Sequence, residues 1–329
     1  MNTFVTGGAG YVGSHCVRAL LARGHQVTVF DNLSAGHRLA VPAEAEFAHG
    51  DLADRDAVEA VLSRRRFDAV LHFAAFLNVG ESVQQPLKYY RNNVLNTLQL
   101  LEVMEQTGVR RMVFSSTCAV YGNPARVPIT EDLPREPINP YGNTKLAVER
   151  MLEDCAAAWG LGAVALRYFN AAGAASDGSI GEDHVPELHL IPIVLQVALG
   201  QRDCVQIFGD DYPTPDGTCV RDYIHVEDLA AAHVLALERL TPGLFAAFNV
   251  GTGRGHSVQE VIAEARRITG HPIPARHAPR RSGDPPQLYA DSDKLRRATG
   301  WRPEQDSLTQ IVASAWRWHS AHPRGFAEP

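Results

Sequence analysis

The chain is expected to be an α/β protein, a doubly wound parallel sheet followed by a second, smaller α/β lobe. Apolar strand patterns near 3–6, 26–30, 45–49, 69–73, 111–115 and 163–167 alternate with helical patterns near 13–23, 54–64, 92–107 and 140–159. Such alternation packs as a parallel sheet with helices on both faces. The first strand runs straight into glycines at 7, 10 and 13, the spacing that opens a nucleotide-binding, Rossmann-like sheet. The length of 329 residues exceeds what a single core usually supports.

Thr3-Phe4-Val5-Thr6 reads as the buried first strand, and Gly7-Gly8-Ala9-Gly10-Tyr11-Val12-Gly13 as the turn into the first helix. Glycines there let main-chain N–H groups approach a pyrophosphate at the helix N-terminus, where the dipole and unpaired donors favour anions. The spacing is Gly-x-x-Gly-x-x-Gly, unlike the Gly-x-Gly-x-x-Gly of ordinary dehydrogenases. A second apolar strand, Gln26 to Phe30, ends in Asp31. An acid at that place suits a ribose 2′-hydroxyl and repels a 2′-phosphate, which favours NAD over NADP.

Further on, Phe114-Ser115-Ser116-Thr117 ends a strand in hydroxyls, and Tyr141 and Lys145 stand four apart on the next helical pattern. Side chains at i and i+4 start about 5–6 Å apart. A unit charge at that range contributes roughly 3 kcal/mol at an effective dielectric of ~20, or about two pKa units. Lys145 is therefore expected to acidify Tyr141, and a second positive charge, such as an oxidised nicotinamide, to complete the shift. Ligands of such a sheet lie at the carboxyl ends of its strands, where Gly7, Asp31, Asp51, Phe73, Ala74, Thr117, Phe169 and Asn170 collect.

Composition narrows the function classes. Hydrophobic residues make up 45% and charged residues 21%, ordinary for a globular protein. The formal net charge is −6 without a basic run, so nucleic-acid binding has no electrostatic footprint. No apolar stretch approaches membrane-spanning length, and Met1-Asn2 passes at once into the first strand; a cytoplasmic protein, neither secreted nor membrane-bound, is expected. Five cysteines without Cys-x-x-Cys spacing read as reduced thiols. His184 and His189 lack the carboxylate and cysteine neighbours of zinc sites, and no metal is expected.

The glycine turn, the hydroxyl cluster and Tyr-x-x-x-Lys together resemble the extended short-chain dehydrogenase/reductase superfamily, and within it the UDP-glucose 4-epimerase family. The likeness extends through His72-Phe73-Ala74-Ala75, Val79-Gly80-Glu81-Ser82, Tyr89 to Asn93 and Leu166 to Asn170. Its most specific stretch is Ile207 to Val226, which the wider superfamily does not share. It implies NAD-dependent C4 epimerisation of a UDP-hexose through a transient 4-keto sugar, with Thr117, Tyr141 and Lys145 catalytic. Other nucleotide-sugar epimerases and dehydrogenases share this triad and remain open. A dehydratase is disfavoured, because Cys118-Ala119 follows the threonine where that subfamily carries an Asp-Glu pair. A non-enzymatic NAD sensor usually loses the triad, which here is intact.

By the same likeness the cofactor set is Gly7, Gly10, Tyr11, Val12, Gly13, Asp31, Asn32, Leu33, Ser34, Ala35, Gly36, Asp51, Leu52, Phe73, Ala74, Ala75, Asn92, Tyr141, Lys145 and Phe169. The UDP-sugar set is Thr117, Tyr141, Asn170, Leu190, Gln206, Ile207, Phe208, Arg221, Arg281, Asp284 and Leu288. Leu288 is intermediate between the bulky residue that excludes a 2-acetamido group and the small one that admits it, so the unsubstituted hexose is the expected substrate. Leu77 stands where relatives often carry a cofactor-binding lysine, and Leu188-His189 where they carry Asn-Asn. The expected division is 1–172 for NAD and 173–329 for the UDP-sugar, with part of 220–250 returning to the first sheet. Helices are expected near 192–200, 226–240, 257–269 and 307–321. Gly251 to Gly255 reads as a tight turn at the lobe junction, and Trp316 and Trp318 as packing residues. The family's pairing surface, helices near 92–107 and 140–159, implies a homodimer.

Overall fold

The computed structural model describes residues 1–281 and 284–326; residues 282, 283 and 327–329 of the expected second lobe lie outside the described residues. Strands β1 (Asn2–Thr6), β2 (Gln26–Asp31), β3 (Glu46–His49), β4 (Ala69–His72), β5 (Arg111–Thr117) and β6 (Gly162–Tyr168) belong to one sheet. A seventh strand, Phe245–Val250, joins β6 in parallel. The order across the sheet is Phe245–Val250, β6, β5, β4, β1, β2, β3, and the pairs are parallel. Strand order therefore reverses between β1 and β4, the place where such a sheet opens a crevice at its carboxyl ends.

Helices cover both faces. On one side α1 (Tyr11–Ala22) packs with the helix Val226–Glu238. Val17, Leu20, Leu229, Val234 and Leu237 bury there against Val5, Val29, Leu71, Val113 and Leu166. On the other side lie α2 (Arg55–Leu62), two short helices α3 (Val79–Gln84) and α4 (Pro86–Tyr89), then α5 (Asn96–Thr107) and α6 (Pro140–Trp159). Val58, Leu100, Val103, Val148 and Leu152 bury against Phe4, Val70, Met112 and Phe114. The helix expected over 92–107 is divided: Tyr90–Leu95 forms a π-helical turn before α5. That turn leaves Asn93 buried and bonded across to the loop after β4.

The remaining chain builds smaller sheets. β7 (Asn170–Ala172) pairs with β9 (Val220–His225), which also pairs with β11 (Gly255–Ser257) and β13 (Gln287–Leu288). β8 (Val205–Phe208) pairs with β12 (Ala275–Ala278), and Phe245–Val250 is β10. Helices α7 (Leu190–Ala198), α8 (Val226–Glu238), α9 (Val258–Thr269), α10 (Asp293–Thr299) and α11 (Leu308–Ala321) complete the chain. Ser257 caps α9 in a reciprocal box with Glu260, which satisfies two otherwise orphaned donors. Val194, Leu195, Ile262, Ile311 and Val312 form their shared core. Gly251 to Gly255 is a turn wrapped round the Asp222 carboxylate, which accepts from the N–H groups of Thr252 and Gly253. Trp318 is buried and Trp316 packs at the edge of the α7–α9–α11 core.

Leu71 is fully buried in central strand β4. Replacing it with alanine is expected to lower unfolding free energy by about 2–5 kcal/mol, read as a lower urea midpoint with an unchanged m-value.

Candidate active site

At the carboxyl end of β1 the glycine turn touches the loop after β4. Gly7 has φ 72°, and a Cβ there would stand 2.5 Å from the main-chain nitrogen of Ala74. A Cβ on Gly13 would collide with the Gly7 carbonyl. Both positions thus need glycine, Gly7 so that the turn can lie against the loop after β4 and Gly13 so that α1 can start directly behind the turn. α1 begins at Tyr11 behind Gly10, with no side-chain cap and no acid in its first turn, so its N–H groups and dipole are free for an anion. One Asp31 oxygen accepts from Ala9 N at 2.9 Å and the other from Leu33 N at 2.8 Å. Each oxygen keeps lone-pair capacity for a ribose hydroxyl. Asn32 donates to Asp51 at 2.7 Å, and Ser34 N donates to Asn32. The arrangement fits NAD.

The expected reactive groups lie on β5 and α6. Thr117 ends β5. Asn139 caps α6 by accepting from Gly142 N at 2.8 Å, and Pro140 occupies the first turn, where its missing N–H costs nothing. Tyr141 and Lys145 then lie on one face. Tyr141 N donates to Ser82 Oγ at 3.2 Å, which fixes α6 to α3. The Thr117 hydroxyl neighbours the Tyr141 phenol and favours its ionisation.

Lys145 corrects the expectation of a simple ion–phenol pair. Its ammonium donates to the Ser115 carbonyl at 2.7 Å and lies 6.0 Å from the Tyr141 ring centre. Burial pulls the Lys145 ammonium down to about 7, against a smaller upward pull from Glu149. Burial raises the Tyr141 phenol well above its usual 10, the neighbouring Tyr168 raises it further, and the Thr117 hydroxyl opposes both. Without nucleotide the phenol is held protonated, because desolvation outweighs the lysine. Its acidity must therefore come from positive charge brought into the cleft.

Behind Lys145 stands a buried network that the sequence reading missed. Glu149 accepts from Arg167 through both oxygens, at 2.9 and 2.6 Å, and from Ser116 Oγ at 2.6 Å. Arg167 also donates to Tyr121 Oη, which donates to Asn249. The spacing Tyr141, Lys145, Glu149 along one helix was the available signal. Asn93, also missed, joins the Phe76 backbone to Thr144 on α6; Asn92 donates to it. His72 is buried between Thr6 and Thr97, and burial followed by the Lys145 charge depresses it to about 3, so it stays neutral.

The expected sugar residues meet opposite this edge. Leu288 pairs with Arg221 between β13 and β9, and packs in one cluster with Phe169, Val120 and Leu146. Arg221 lies 3.6 Å from Asp284. The Arg281 guanidinium stacks 3.9 Å over the Phe208 ring. Asn170 opens β7, opposite Tyr223, and Leu190 opens α7. Phe73 N and Ala74 N both donate to Thr6 O, which holds the Phe73 to Ala75 segment against the turn. Two side chains face elsewhere: Leu52 and Ile207 belong to hydrophobic cores, so they offer a ligand main chain only. Tyr11 spends its hydroxyl on the Gly173 carbonyl at 2.8 Å. Gln206 is exposed on β8, Val12 packs partly buried under the turn, and Leu77 is exposed.

Residues 3–251 match the family described as NAD dependent epimerase/dehydratase. The chain belongs to this family. It is 56% identical over 328 residues to a UDP-glucose 4-epimerase of Halalkalibacterium halodurans, covering 99% of this chain and 98% of the relative. It superposes on the Brucella ovis UDP-glucose 4-epimerase in complex with NAD at a TM-score of 0.92 and 48% identity, covering 96% and 97% of the two chains. The Bifidobacterium longum UDP-glucose 4-epimerase, solved with NAD+ and UDP, matches at 0.95 and 40% identity over 99% and 100%. No helix among the described residues is long and apolar enough to cross a membrane.

The depressed Lys145 has a thermodynamic consequence. In the unfolded chain it keeps its proton up to its ordinary value of 10.5, whereas in the fold it loses it near 7. Between those values the unfolded chain holds more protons, so raising pH favours the fold. In nucleotide-free protein, stability relative to Lys145→Met is expected to rise from pH 7 to 10. Urea midpoints of both proteins across that range check it; a flat difference would remove the assignment of Lys145 as a buried, uncompensated cation.

Proposed function

We infer that this protein is an NAD-dependent epimerase that interconverts UDP-galactose and UDP-glucose at C4. The observation that carries the reading is half-buried Tyr141 beside buried Thr117, with Lys145 on the same helix face, at the sheet edge where the glycine turn opens. When bound, NAD supplies a reversible hydride acceptor for the sugar carbon. Tyr141 takes the 4-hydroxyl proton and returns it, and Thr117 orients that oxygen as it becomes a ketone. Lys145 holds the ribose of the cofactor and contributes positive charge near the phenol. The released 4-keto sugar turns over in the cleft and presents its other face, so configuration inverts without net redox change.

Residues 1–172 with β10 serve the cofactor, and 173–329 the UDP-sugar. Arg221 and Arg281 grip the diphosphate, since a planar guanidinium fork matches phosphate oxygens. Leu288 sets room at the sugar, and the unsubstituted hexose is the main substrate. Cys118 supports epimerisation over dehydration: it stands in place of the Asp-Glu pair that would eliminate water, and burial pushes its thiol up to about 12, so it does not supply that chemistry. A cytoplasmic homodimer completes the reading. Val83, Leu87, Leu95 and Leu98 are exposed on α3, α4 and the helix that follows, an apolar face suited to a second copy.

Purified protein given UDP-galactose without added NAD is expected to yield UDP-glucose with no build-up of reduced cofactor; accumulating reduced cofactor would mean a dehydrogenase instead. Tyr141→Phe should retain nucleotide and lose turnover by about 10²–10⁴-fold, and normal turnover in that variant would refute the assignment. Arg281→Ala should weaken UDP binding roughly 10–100-fold, the worth of a lost charge-assisted hydrogen bond, with NAD content unchanged. Calorimetric titration with UDP reads this.

A further inference from the structure

We propose that Glu182, His184, Glu187 and His189 form a closed, structural zinc site. The sequence reading found no carboxylate partners for the two histidines. The structure corrects this: one ligand-type atom from each of the four residues lies within 4.8 Å of all the others. The segment folds back between β7 and α7, so Glu-x-His-x-x-Glu-x-His aims every second or third side chain inward. That pattern was legible but matches no common zinc spacing.

The distances suit a tetrahedral ion. Zinc bonds of ~2.0–2.2 Å to imidazole and carboxylate imply ligand–ligand edges of about 3.3–3.6 Å. His184 Nδ1 lies 3.4 Å from Glu182 Oε1 and 3.5 Å from Glu187 Oε2, and His189 Nδ1 lies 3.4 Å from the other Glu187 oxygen, Oε1, so Glu187 would turn one oxygen to the ion. His189 Nδ1 and Glu182 Oε1 stand 2.7 Å apart and must separate to admit it.

Hydrogen-bond geometry separates the metal from the simpler alternative of two imidazolium–glutamate pairs. Glu182 is only 3% exposed. Among the described residues its Oε1, and Nδ1 of both histidines, are buried without a hydrogen-bond partner despite these short separations. Pairing with one another therefore does not satisfy these atoms. Leaving a buried carboxylate oxygen unpaired is costly. A divalent cation removes that cost, and with two neutral imidazoles it balances the two carboxylates.

Four protein ligands leave no open position, which marks a structural site, not a catalytic one. The Glu187 carboxylate is oriented by the N–H groups of Leu188 and His189, at 2.7 and 2.8 Å, the outer-shell support that ligating carboxylates show. The Tyr11 ring meets His184 edge-on at 6.3 Å, and a Cβ at Gly181 would strike the Trp318 indole. The site therefore lies where the segment leading to Leu190 packs against the head of α1 and against α11.

The full-length protein, produced with zinc in the medium and desalted, is expected to carry close to one zinc per chain by plasma mass spectrometry. Cobalt substituted for zinc should give the intense visible bands of tetrahedral Co(II). His184→Ala combined with Glu187→Gln should bring metal to background while far-ultraviolet circular dichroism stays native. If that variant does not fold, the wild-type protein decides alone: zinc added after chelation must restore bound metal and raise Tm. Chelated wild-type protein that regains only trace metal, with Tm unmoved, overturns the proposal and leaves a proton-filled ion-pair cluster.

Discussion

The site depends on how α6 buries a cation. Lys145 is 4% exposed, and among the described residues only a main-chain carbonyl accepts from it directly. Glu149, one turn on, is fully buried and could have neutralised it, but both its oxygens are committed to Arg167. Lys145 thus carries a desolvation penalty that no neighbour cancels. The Glu149–Arg167 pair anchors α6 to β6 at fixed height, and the cost of leaving either partner unpaired, several kcal/mol, keeps Tyr141 and Lys145 from shifting along the sheet edge. Precision at the front of the cleft comes from charges that never reach it.

Electrostatics then explains why the fold unites this helix with a nucleotide turn. The phenol is buried and held protonated, and the lysine is poised near neutral pH. Neither group is ready alone. A cationic ring bound at this edge would lower the phenol, and ribose hydroxyls there would accept from the ammonium that now bonds the Ser115 carbonyl. The turn makes such binding possible because Gly7 and Gly13 let the main chain pack tightly enough to bring the uncapped start of α1 to the edge where β1 and β4 part. Cofactor binding therefore supplies the charge and hydrogen bonds that the protein interior withholds.

Most of the parallel sheet was legible because its strands are buried on both faces and its helices are amphipathic; α6 was read from Pro140 to Trp159 as it stands. Local pattern failed where long-range bonds decide. The π-helical turn exists because Asn93 must reach Phe76 and Thr144, partners distant in sequence. Strands of two to four residues, such as β13 and β7, carry too little pattern to declare themselves. At the site, identities were readable and protonation states were not: the Tyr141–Lys145 spacing is local, while the burial that opposes it is set by strands and helices packed around both. Leu52 and Ile207 show the reverse case, positions named by likeness whose side chains the core claims.

The loop before α7 follows the same logic as α6. Two glutamates are buried there at 3% and 6% exposure, a cost that requires positive charge at close range. Arginine answers Glu149 with a forked, well-aligned pair. The histidines beside Glu182 and Glu187 come equally near, yet among the described residues their Nδ1 atoms and Glu182 Oε1 have no hydrogen-bond partner. A carboxylate so answered is incomplete, and a small divalent ion would complete it. The two clusters then differ in chemistry: an arginine fork under α6, and before α7 four side chains that the proposed ion would complete.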